Sequence, residues 1–262
     1  MLSTRFVDGG PDWIEVAAPG AEEAAAFYGG LFGWEFRSAG PQAGGYGFFE
    51  LGGEIVAGCA PGDGAASWTV YFQSSDAQAT AKAAEQAGGG VVQTPVRVME
   101  QGTSAVLTDH AGVPFGIWEP GLRKGLDRVM ATGSLCWAEL YTPDIARAAA
   151  FFHSVLGWET SAVTYPAGVY TSVNPAGTGE DGAFGGLVPV ADDPVEAGSG
   201  GRPYWLPYFG ADDPDATVAR AVELGGSVRM PATSITGVGR LARLEDPWGA
   251  RFAVLRGDPQ QV

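Results

Sequence analysis

The sequence predicts an α+β fold made of four βαβββ modules, two in each half of the chain. The first observation is an internal repeat, in which much of segment 12–35 returns 124 positions later at 136–159. The second observation is that residues 68–72 also return, at an offset of 137. Because a repeat of this length is a whole domain rather than a solenoid unit, we expect two tandem domains, at residues 1–123 and 124–262.

The two offsets differ by 13 residues, so the second half carries an insertion of that size. The stretch Asn174–Gly201 is rich in glycine and acidic residues and contains Pro175, Pro189 and Pro194. Such a composition favours turns over regular structure. We therefore predict that the insertion lies in this stretch as a mobile loop.

The first module begins with a strand over residues 12–18, where side chains alternate in polarity up to Pro19. A helix over residues 21–32 follows, because its apolar side chains recur at helical spacing. Gly33 comes directly after it, at the position where glycine commonly ends a helix. Three strands complete the module, at residues 35–38, 46–51 and 54–59.

The second module repeats this order of elements. Its first strand covers residues 68–73, and its helix covers residues 76–87, with Asp76 as the N-terminal cap. Its last three strands are expected near residues 91–98, 103–108 and 114–118. The internal repeat predicts the same two modules again in the second half.

The composition excludes several classes of protein. The chain of 262 residues has 30 Asp and Glu against 15 Lys and Arg, and its formal charge of −15 would repel nucleic acid. This charge is typical of a solvated acidic surface, and attraction of a cationic ligand is the alternative interpretation. The sequence shows no apolar run near the ~20 residues that span a membrane and no leader, so we expect a cytoplasmic protein without membrane contact. Only Cys59 and Cys136 are present, which argues against a disulfide framework and a Cys-rich metal site.

Two motifs occur in the same order in both halves. The pattern FYxxLFGW at residues 27–34 ends the first helix, and the pattern DxxGxxF at residues 109–115 leads into the last strand. With these motifs the chain resembles the vicinal oxygen chelate superfamily, which includes glyoxalase I, bleomycin-resistance proteins and extradiol dioxygenases. The resemblance implies that each pair of βαβββ modules curls into an open bowl with the ligand on its concave face. It therefore implies two tandem bowls, as in two-domain members named glyoxalase-like.

The resemblance also implies a divalent metal, which most of these enzymes hold through His, Gln or Glu side chains inside the bowl. Counted from the motifs, the corresponding positions carry no strong metal donor: Trp13, Thr69 and Gly116 in the first half, and Trp137, Leu206 and Ala253 in the second. The chain has only two histidines, His110 and His153, which we interpret as a turn residue and a surface residue. We therefore expect no metal and no other cofactor.

Strand alternation predicts which side chains line each bowl. If the apolar Ile14 and Val16 lie under the helix, Trp13 and Glu15 face the bowl, and so do their counterparts in the second half. The predicted ligand-binding residues are Trp13, Thr69, Tyr71 and Trp118 in the first bowl and Trp137, Tyr141 and Tyr208 in the second. Each bowl is thus expected to be an aromatic cup, and the first is favoured as the site because its residues offer more polar and aromatic options.

One acid is expected at the base of each cup, Glu15 in the first and Glu139 in the second. A desolvated carboxylate can act as a general base, which makes both residues catalytic candidates. The alternative is structural. In that case each glutamate pairs with an arginine of a neighbouring strand, such as Arg240, Arg243 or Arg251, and only ties the fold.

Three functions compete. The first is a metal-independent protein that binds an aromatic or cationic natural product, as in antibiotic resistance of the bleomycin kind. The second is a glyoxalase-like lyase or isomerase, or a cofactor-free enzyme of secondary metabolism with Glu15 or Glu139 as general base. The third is a structural or regulatory protein with filled bowls. In the first two cases the partner is a small molecule, and the sequence leaves a homodimer open.

Overall fold

The computed structural model describes residues 2–62, 64–165, 168–193 and 201–258. The first half contains these elements: β1 (Pro11–Ala18), α1 (Ala21–Phe32), β2 (Glu35–Ser38), β3 (Gly47–Leu51), β4 (Glu54–Pro61), β5 (Ser67–Gln73), α2 (Ala77–Gln86), β6 (Gly90–Val98), β7 (Gly102–Thr108) and β8 (Pro114–Pro120). The second half contains the matching set: β9 (Leu135–Thr142), α3 (Ile145–Leu156), β10 (Glu159–Tyr165), β11 (Gly168–Asn174), β12 (Gly185–Pro189), β13 (Tyr204–Gly210), α4 (Pro214–Glu223), β14 (Ser227–Ile235), β15 (Gly239–Glu245) and β16 (Arg251–Gly257).

Each half forms one eight-stranded sheet. The strand order is β2-β3-β4-β1-β5-β8-β7-β6 in the first and β10-β11-β12-β9-β13-β16-β15-β14 in the second. The first strands of the two modules, β1 and β5, pair antiparallel at the centre, and β9 and β13 do the same. The predicted α+β fold of four βαβββ modules, curled into two tandem bowls, is therefore confirmed.

The helices begin and end at residues with the expected local chemistry. Gly33 ends α1 with a φ of 74°, a left-handed conformation that glycine adopts without steric cost, and Gly157 ends α3 with a φ of 70°. Helices α2, α3 and α4 each begin directly after an aspartate, which is Asp76, Asp144 or Asp213. Each aspartate side chain accepts a hydrogen bond from a backbone N–H of the first helical turn. Among the described residues, no helix is long and apolar enough to cross a membrane.

The two halves share aromatic packing. The ring of Trp34 lies 5.4 Å from the ring of Phe209, and the ring of Trp158 lies 5.0 Å from the ring of Phe72. Helix α1 packs against α4, and α2 packs against α3. One hydrophobic core therefore spans both halves, and the domain boundary between residues 123 and 124 stays a prediction.

The prediction of a mobile loop over residues 174–201 is wrong in part, because this stretch contains β12. Gly186 in β12 pairs with Glu139, as Gly58 in β4 pairs with Glu15. The offset between these glycines is 128, between the offsets of 124 and 137, so the inserted residues lie on both sides of the strand.

The glycines of β12 explain the error. A Cβ atom on Gly186 would collide with the hydroxyl of Tyr170, so this glycine serves close packing inside a sheet and not a turn. Pro175 does begin a turn, since the Thr178 backbone N–H donates to its carbonyl. Pro189 ends β12, and Pro194 lies outside the described residues.

Candidate ligand-binding site

The concave face of the second sheet encloses a cavity of about 340 Å³. Trp137, Glu139 and Tyr141 line it from alternate positions of β9, while Ala138 and Leu140 between them are fully buried in the core. The predicted strand parity therefore holds. The rest of the wall comes from neighbouring strands and one turn: Tyr165, Gly168, Tyr170, Val188, Tyr208, Ile235, Val238, Leu241, Arg243 and Leu255.

Three tyrosine hydroxyls hold Glu139 at the base of this cavity. Tyr208 donates to Oε2 at 2.6 Å, and Tyr141 donates to the same oxygen at 3.0 Å. Tyr170 donates to Oε1 at 2.9 Å. Charge-assisted bonds of this kind are stronger than neutral ones, so the carboxylate is held in one orientation.

Burial keeps these tyrosines protonated. Burial is the largest effect that raises the pKa of Tyr141, Tyr170 and Tyr208, and the negative charge of Glu139 raises it further. The three hydroxyls therefore remain hydrogen-bond donors to Glu139 at neutral pH.

The sequence analysis missed Tyr170, although the repeat contains the signal for it. Tyr170 lies 124 positions after Tyr46. The indole of Trp137 donates to the Tyr170 hydroxyl at 2.9 Å, and the indole of Trp13 donates to the Tyr46 hydroxyl at 3.2 Å. A tyrosine beside the glutamate and a tryptophan behind that tyrosine are thus common to both bowls.

Among the described residues that line this cavity, Arg243 is the only arginine. Its guanidinium carbon lies 4.9 Å above the centre of the Tyr141 ring, a cation–π geometry. Its Nε and Nη1 atoms are buried, and among the described residues they have no hydrogen-bond partner. The sequence analysis named Arg243 only as a structural partner of the glutamates, and no described ion pair joins it to either of them.

The other two arginines that were considered as structural partners of the glutamates pair with different carboxylates. Arg240 forms an ion pair with Asp215, and Arg251 forms one with Glu245. Within the described part of the chain no ion pair links Glu15 or Glu139 to an arginine. Tyrosines, and not arginines, therefore hold the two glutamates.

The first bowl brings the same residue types together in a tighter arrangement. Tyr71 lies beside Trp13 on one side and Gly116 on the other, and its hydroxyl donates to Glu15 at 3.4 Å. A Cβ atom on Gly116 would collide with the Tyr71 ring, so this ring lies directly over the glycine. Burial raises the pKa of Glu15, and the hydroxyls of Tyr46 and Tyr71 offset this effect in part.

Thr69 and Trp118 are the remaining predicted residues of the first bowl. Thr69 pairs with Glu15 across β1 and β5 and is half-buried. Trp118 is also half-buried, and its indole donates to the backbone carbonyl of Arg123 at 3.0 Å. Trp13 and Tyr71 are nearly inaccessible, with 7% and 6% of their surfaces exposed. Both side chains are therefore buried, as Tyr141 and Tyr208 are in the second bowl.

The metal positions implied by the superfamily do not fit a divalent cation in either bowl. The register places Tyr71 next to Gly116 and Tyr208 next to Ala253. A glutamate at position 116 would displace the Tyr71 ring, and Ala253 is fully buried. In the described ranges no group of three or more His, Cys, Asp and Glu side chains is arranged to hold a metal.

The two histidines lie outside the cavity wall. His153 is exposed on α3, and its Nδ1 atom is 2.8 Å from the carbonyl oxygen of Trp158. His110 is half-buried in the turn after β7, with its ring 6.1 Å from that of Phe151. The interpretation of His153 as a surface residue and of His110 as a turn residue agrees with these positions.

Comparison with known proteins identifies the family. The model of the glyoxalase/bleomycin resistance protein/dioxygenase superfamily matches residues 127–254, and that of a glyoxalase-like domain matches residues 13–118. The chain is 38% identical to the anthracycline biosynthesis protein DauV of Streptomyces sp. (strain C5), over 96% of this chain and 94% of that protein. The chain belongs to the glyoxalase/bleomycin resistance protein/dioxygenase superfamily.

Further members of this superfamily are similar in sequence or in fold. The anthracycline biosynthesis protein DnrV of Streptomyces peucetius is 38% identical, again over 96% and 94% of the two chains. The Mn(II)-bound glyoxalase from Novosphingobium aromaticivorans superposes with a TM-score of 0.63 at 16% identity, covering 97% of this chain and 85% of that one. The 2,3-dioxygenase LapB from Pseudomonas sp. KL28 gives 0.62 at 17% identity, covering 97% and 94%. At these identities the two solved structures support the fold alone.

Proposed function

We propose that this chain is a metal-independent protein that binds a flat aromatic small molecule in its second bowl. The observation that carries the proposal is the cavity of about 340 Å³, which is lined mainly by aromatic and aliphatic side chains. This volume lies in the range of about 300–1,000 Å³ that is typical of small-molecule sites. The first bowl, which the sequence favoured, is the weaker candidate because the Tyr71 ring lies directly over Gly116 there.

The wall of the cavity suits a planar ligand. Trp137, Tyr165 and Tyr170 keep part of their surface exposed there. Aromatic rings add about 0.5–1.5 kcal/mol per stacked pair beyond the burial of area. The relatives from Streptomyces are anthracycline biosynthesis proteins, and anthracyclines are polycyclic aromatic compounds, which supports this class of ligand.

The geometry supports binding better than catalysis by Glu139. Three tyrosine hydroxyls already occupy three of the roughly four acceptor sites of this carboxylate, which limits its access to a substrate proton. Metal independence is supported by the residues at the family positions, because Trp137, Leu206 and Ala253 offer no donor to a cation.

A cofactor-free enzyme remains a second candidate because of Glu15. Burial raises the pKa of this carboxyl, and perturbed carboxyl groups are common among general bases. The substrate would then approach the first bowl, and Glu15→Gln would abolish turnover while retaining affinity. A cytoplasmic location, a homodimer and a role in antibiotic resistance stay proposals from the sequence.

Fluorescence titration with a neutral probe, 9,10-anthraquinone-2-carboxamide, tests the proposed function. We expect saturable quenching of tryptophan emission at one site per chain, unchanged after dialysis against a chelator. Trp137→Phe should remove most of the quenching amplitude. Trp13→Phe, at the matching position of the first bowl, should leave it unchanged.

Each part of the proposal has its own contrary result. Loss of affinity after chelation would contradict metal independence. Loss of quenching in Trp13→Phe, with Trp137→Phe unaffected, would assign the ligand to the first bowl. Conversion of the probe or of related quinones by the wild-type protein, but not by Glu15→Gln, would favour the enzyme.

A further inference from the structure

Among the described residues, the charge of Arg243 in the second bowl is attracted by that of Glu139 but has no carboxylate in ion-pair contact with it. Arg229 and Arg251 on neighbouring strands both form ion pairs with Glu245. Arg243 has no ion pair among the described residues, and its buried Nε and Nη1 atoms have no hydrogen-bond partner there. A buried cation without an anionic partner is unfavourable, and proteins usually pair such a charge.

Glu139 lies in the same cavity, yet it does not compensate this charge by contact. Its hydrogen bonds come from the hydroxyls of Tyr141, Tyr170 and Tyr208, and none comes from the guanidinium. What Arg243 has instead is the face of Tyr141, 4.9 Å away. A cation–π contact satisfies the charge in part but leaves the N–H groups without acceptors.

The first bowl shows that the arginine is not needed for the fold. Arg243 pairs with Ala253 across β15 and β16, and Val106 pairs with Gly116 at the matching position of β7 and β8. A valine therefore completes the same sheet in the first bowl. The arginine lines the cavity of the second bowl.

We propose that the second bowl selects aromatic ligands that carry an acidic oxygen, and that this oxygen pairs with Arg243. The ligand class is a planar ring system with a carboxylate, a phenolate or an enolate, of which the guanidinium is the natural partner. This inference rests on the proposed function, since it names the ligand class of the same site. It also disfavours the cationic ligands considered from the overall charge, because a cation would meet Arg243.

Three probes with one ring system separate the charge from the aromatic contact. They are 9,10-anthraquinone-2-carboxylate, the neutral 2-carboxamide and the cationic 2-aminomethyl derivative. Calorimetry at pH 7.5 and fixed salt measures the affinity of each. We expect the carboxylate to bind the wild-type protein at least about tenfold more tightly than the carboxamide, because hydrogen bonds to charged groups are worth that much or more. The cationic probe should bind most weakly.

Two arginine variants on the same strand localise the effect. Arg243→Gln should lower the affinity for the carboxylate to that for the carboxamide, with the carboxamide itself little changed. Arg240→Gln is the matched control, because it removes the same charge from β15 where the arginine pairs with Asp215. We expect this control to keep the preference of the wild-type protein for the carboxylate.

Each outcome decides between the two claims. Equal and saturable binding of carboxylate and carboxamide to the wild-type protein would overturn the role of Arg243 and leave the proposed function intact. An equal loss of carboxylate affinity in both arginine variants would show a long-range effect of net charge and also overturn it. Failure of all three probes to bind would contradict the proposed function itself. The comparison of probes on the wild-type protein needs no variant, so it decides the question even if Arg243→Gln does not fold.

Discussion

The two bowls carry the same arrangement of tryptophan, tyrosine and glutamate but differ in what surrounds it. In the second bowl three hydroxyls hold Glu139 at 2.6 to 3.0 Å, whereas the hydrogen bond from the Tyr71 hydroxyl to Glu15 measures 3.4 Å. The second bowl encloses a cavity of about 340 Å³. In the first, Trp13 and Tyr71 are almost completely covered.

Three pairs of matching positions differ between the two bowls. They are Gly116 and Ala253, Val106 and Arg243, and Ala17 and Tyr141. Without a Cβ at Gly116 the Tyr71 ring lies over β8, whereas the methyl group of Ala253 occupies the corresponding space beside Tyr208. Small changes at strand positions can thus decide whether a duplicated bowl is filled by its own side chains or left open to a ligand.

The core between the halves is symmetric, in contrast to the bowls. The indole of Trp34 donates to the carbonyl of Gly133, and that of Trp158 donates to the carbonyl of Gly9, both at 2.7 Å. We expect Trp34→Ala and Trp158→Ala each to lower the free energy of unfolding by about 3–5 kcal/mol, since both delete a buried aromatic ring. Urea denaturation measures both values.

Leu122→Ala is the control for this pair, because Leu122 is 69% exposed and should change stability by less than about 0.5 kcal/mol. A loss from one tryptophan variant that is more than about twice the other would show that the core is not shared equally. The symmetric part of the comparison would then fail.

Substitutions at the matching positions Gly116 and Ala253 test the difference between the two bowls. We expect Gly116→Ala to lower the free energy of unfolding by about 1–3 kcal/mol, because its methyl group displaces the Tyr71 ring. The reciprocal Ala253→Gly should cost only about 0.5–1 kcal/mol, the entropic penalty of glycine in a strand. Similar losses in the two variants would mean that Gly116 does not set the position of Tyr71.

The glutamates should respond differently to the same substitution. Glu139→Gln weakens three charge-assisted hydrogen bonds, and we expect a loss of about 1–3 kcal/mol in the free energy of unfolding at pH 7. Glu15→Gln affects fewer and longer bonds and relieves the burial of a charge, so its loss should be smaller. An equal or larger loss from Glu15→Gln would remove the distinction between the two networks.

The fold was predictable from the sequence because each element of the first half has a counterpart in the second, so that each assignment could be checked at two places. Strand parity placed Trp13 and Glu15 in one bowl, and Trp137 and Glu139 in the other, because alternation is a property of any paired strand. The boundaries of the domains stay a prediction, since aromatic rings from both halves build one core.

The choice between the bowls was not predictable from residue types alone. It depends on where one tyrosine ring lies, and a missing methyl group at Gly116 decides that. Tyr170 could have been found from the offset of 124 that relates it to Tyr46. The environment of Arg243 could not have been found in this way. Arg251 pairs with Glu245, Arg240 pairs with Asp215, and Arg243 pairs with no carboxylate among the described residues. These differences depend on the directions of the side chains across β15 and β16.

The pH dependence of stability should distinguish Glu15 as well. Because the pKa of Glu15 is raised in the folded protein, the folded state binds more protons than the unfolded state between the two pKa values. Its contribution to stability therefore falls as pH rises from the unfolded value near 4.5 through the raised folded value. We expect the stability of Glu15→Gln relative to the wild-type protein to rise across this window and then to level off. A difference that stays constant with pH would show that the folded protein does not perturb Glu15.

Replacement of Arg243 by methionine should have the smallest effect on stability. The variant loses the cation–π contact with Tyr141, worth about 0.5–2 kcal/mol, and also the attraction of the Glu139 charge, which helps to raise the pKa of Arg243. The same change removes two buried N–H groups without acceptors, whose burial costs about 1–3 kcal/mol. These effects oppose one another, so we expect a change within about 1 kcal/mol. By contrast, removing one partner from a buried ion pair typically costs about 3–5 kcal/mol.

A small change in the stability of Arg243→Met would indicate that Arg243 serves ligand binding and not folding. Denaturation of Arg243→Met, with Arg240→Met on the same strand as its control, provides the measurement. A loss above about 2 kcal/mol for Arg243→Met alone would mean that the fold satisfies the guanidinium. Arg243 would then belong to the structure of the second bowl, and an acidic ligand would no longer be needed to explain why an arginine stands where the first bowl has Val106.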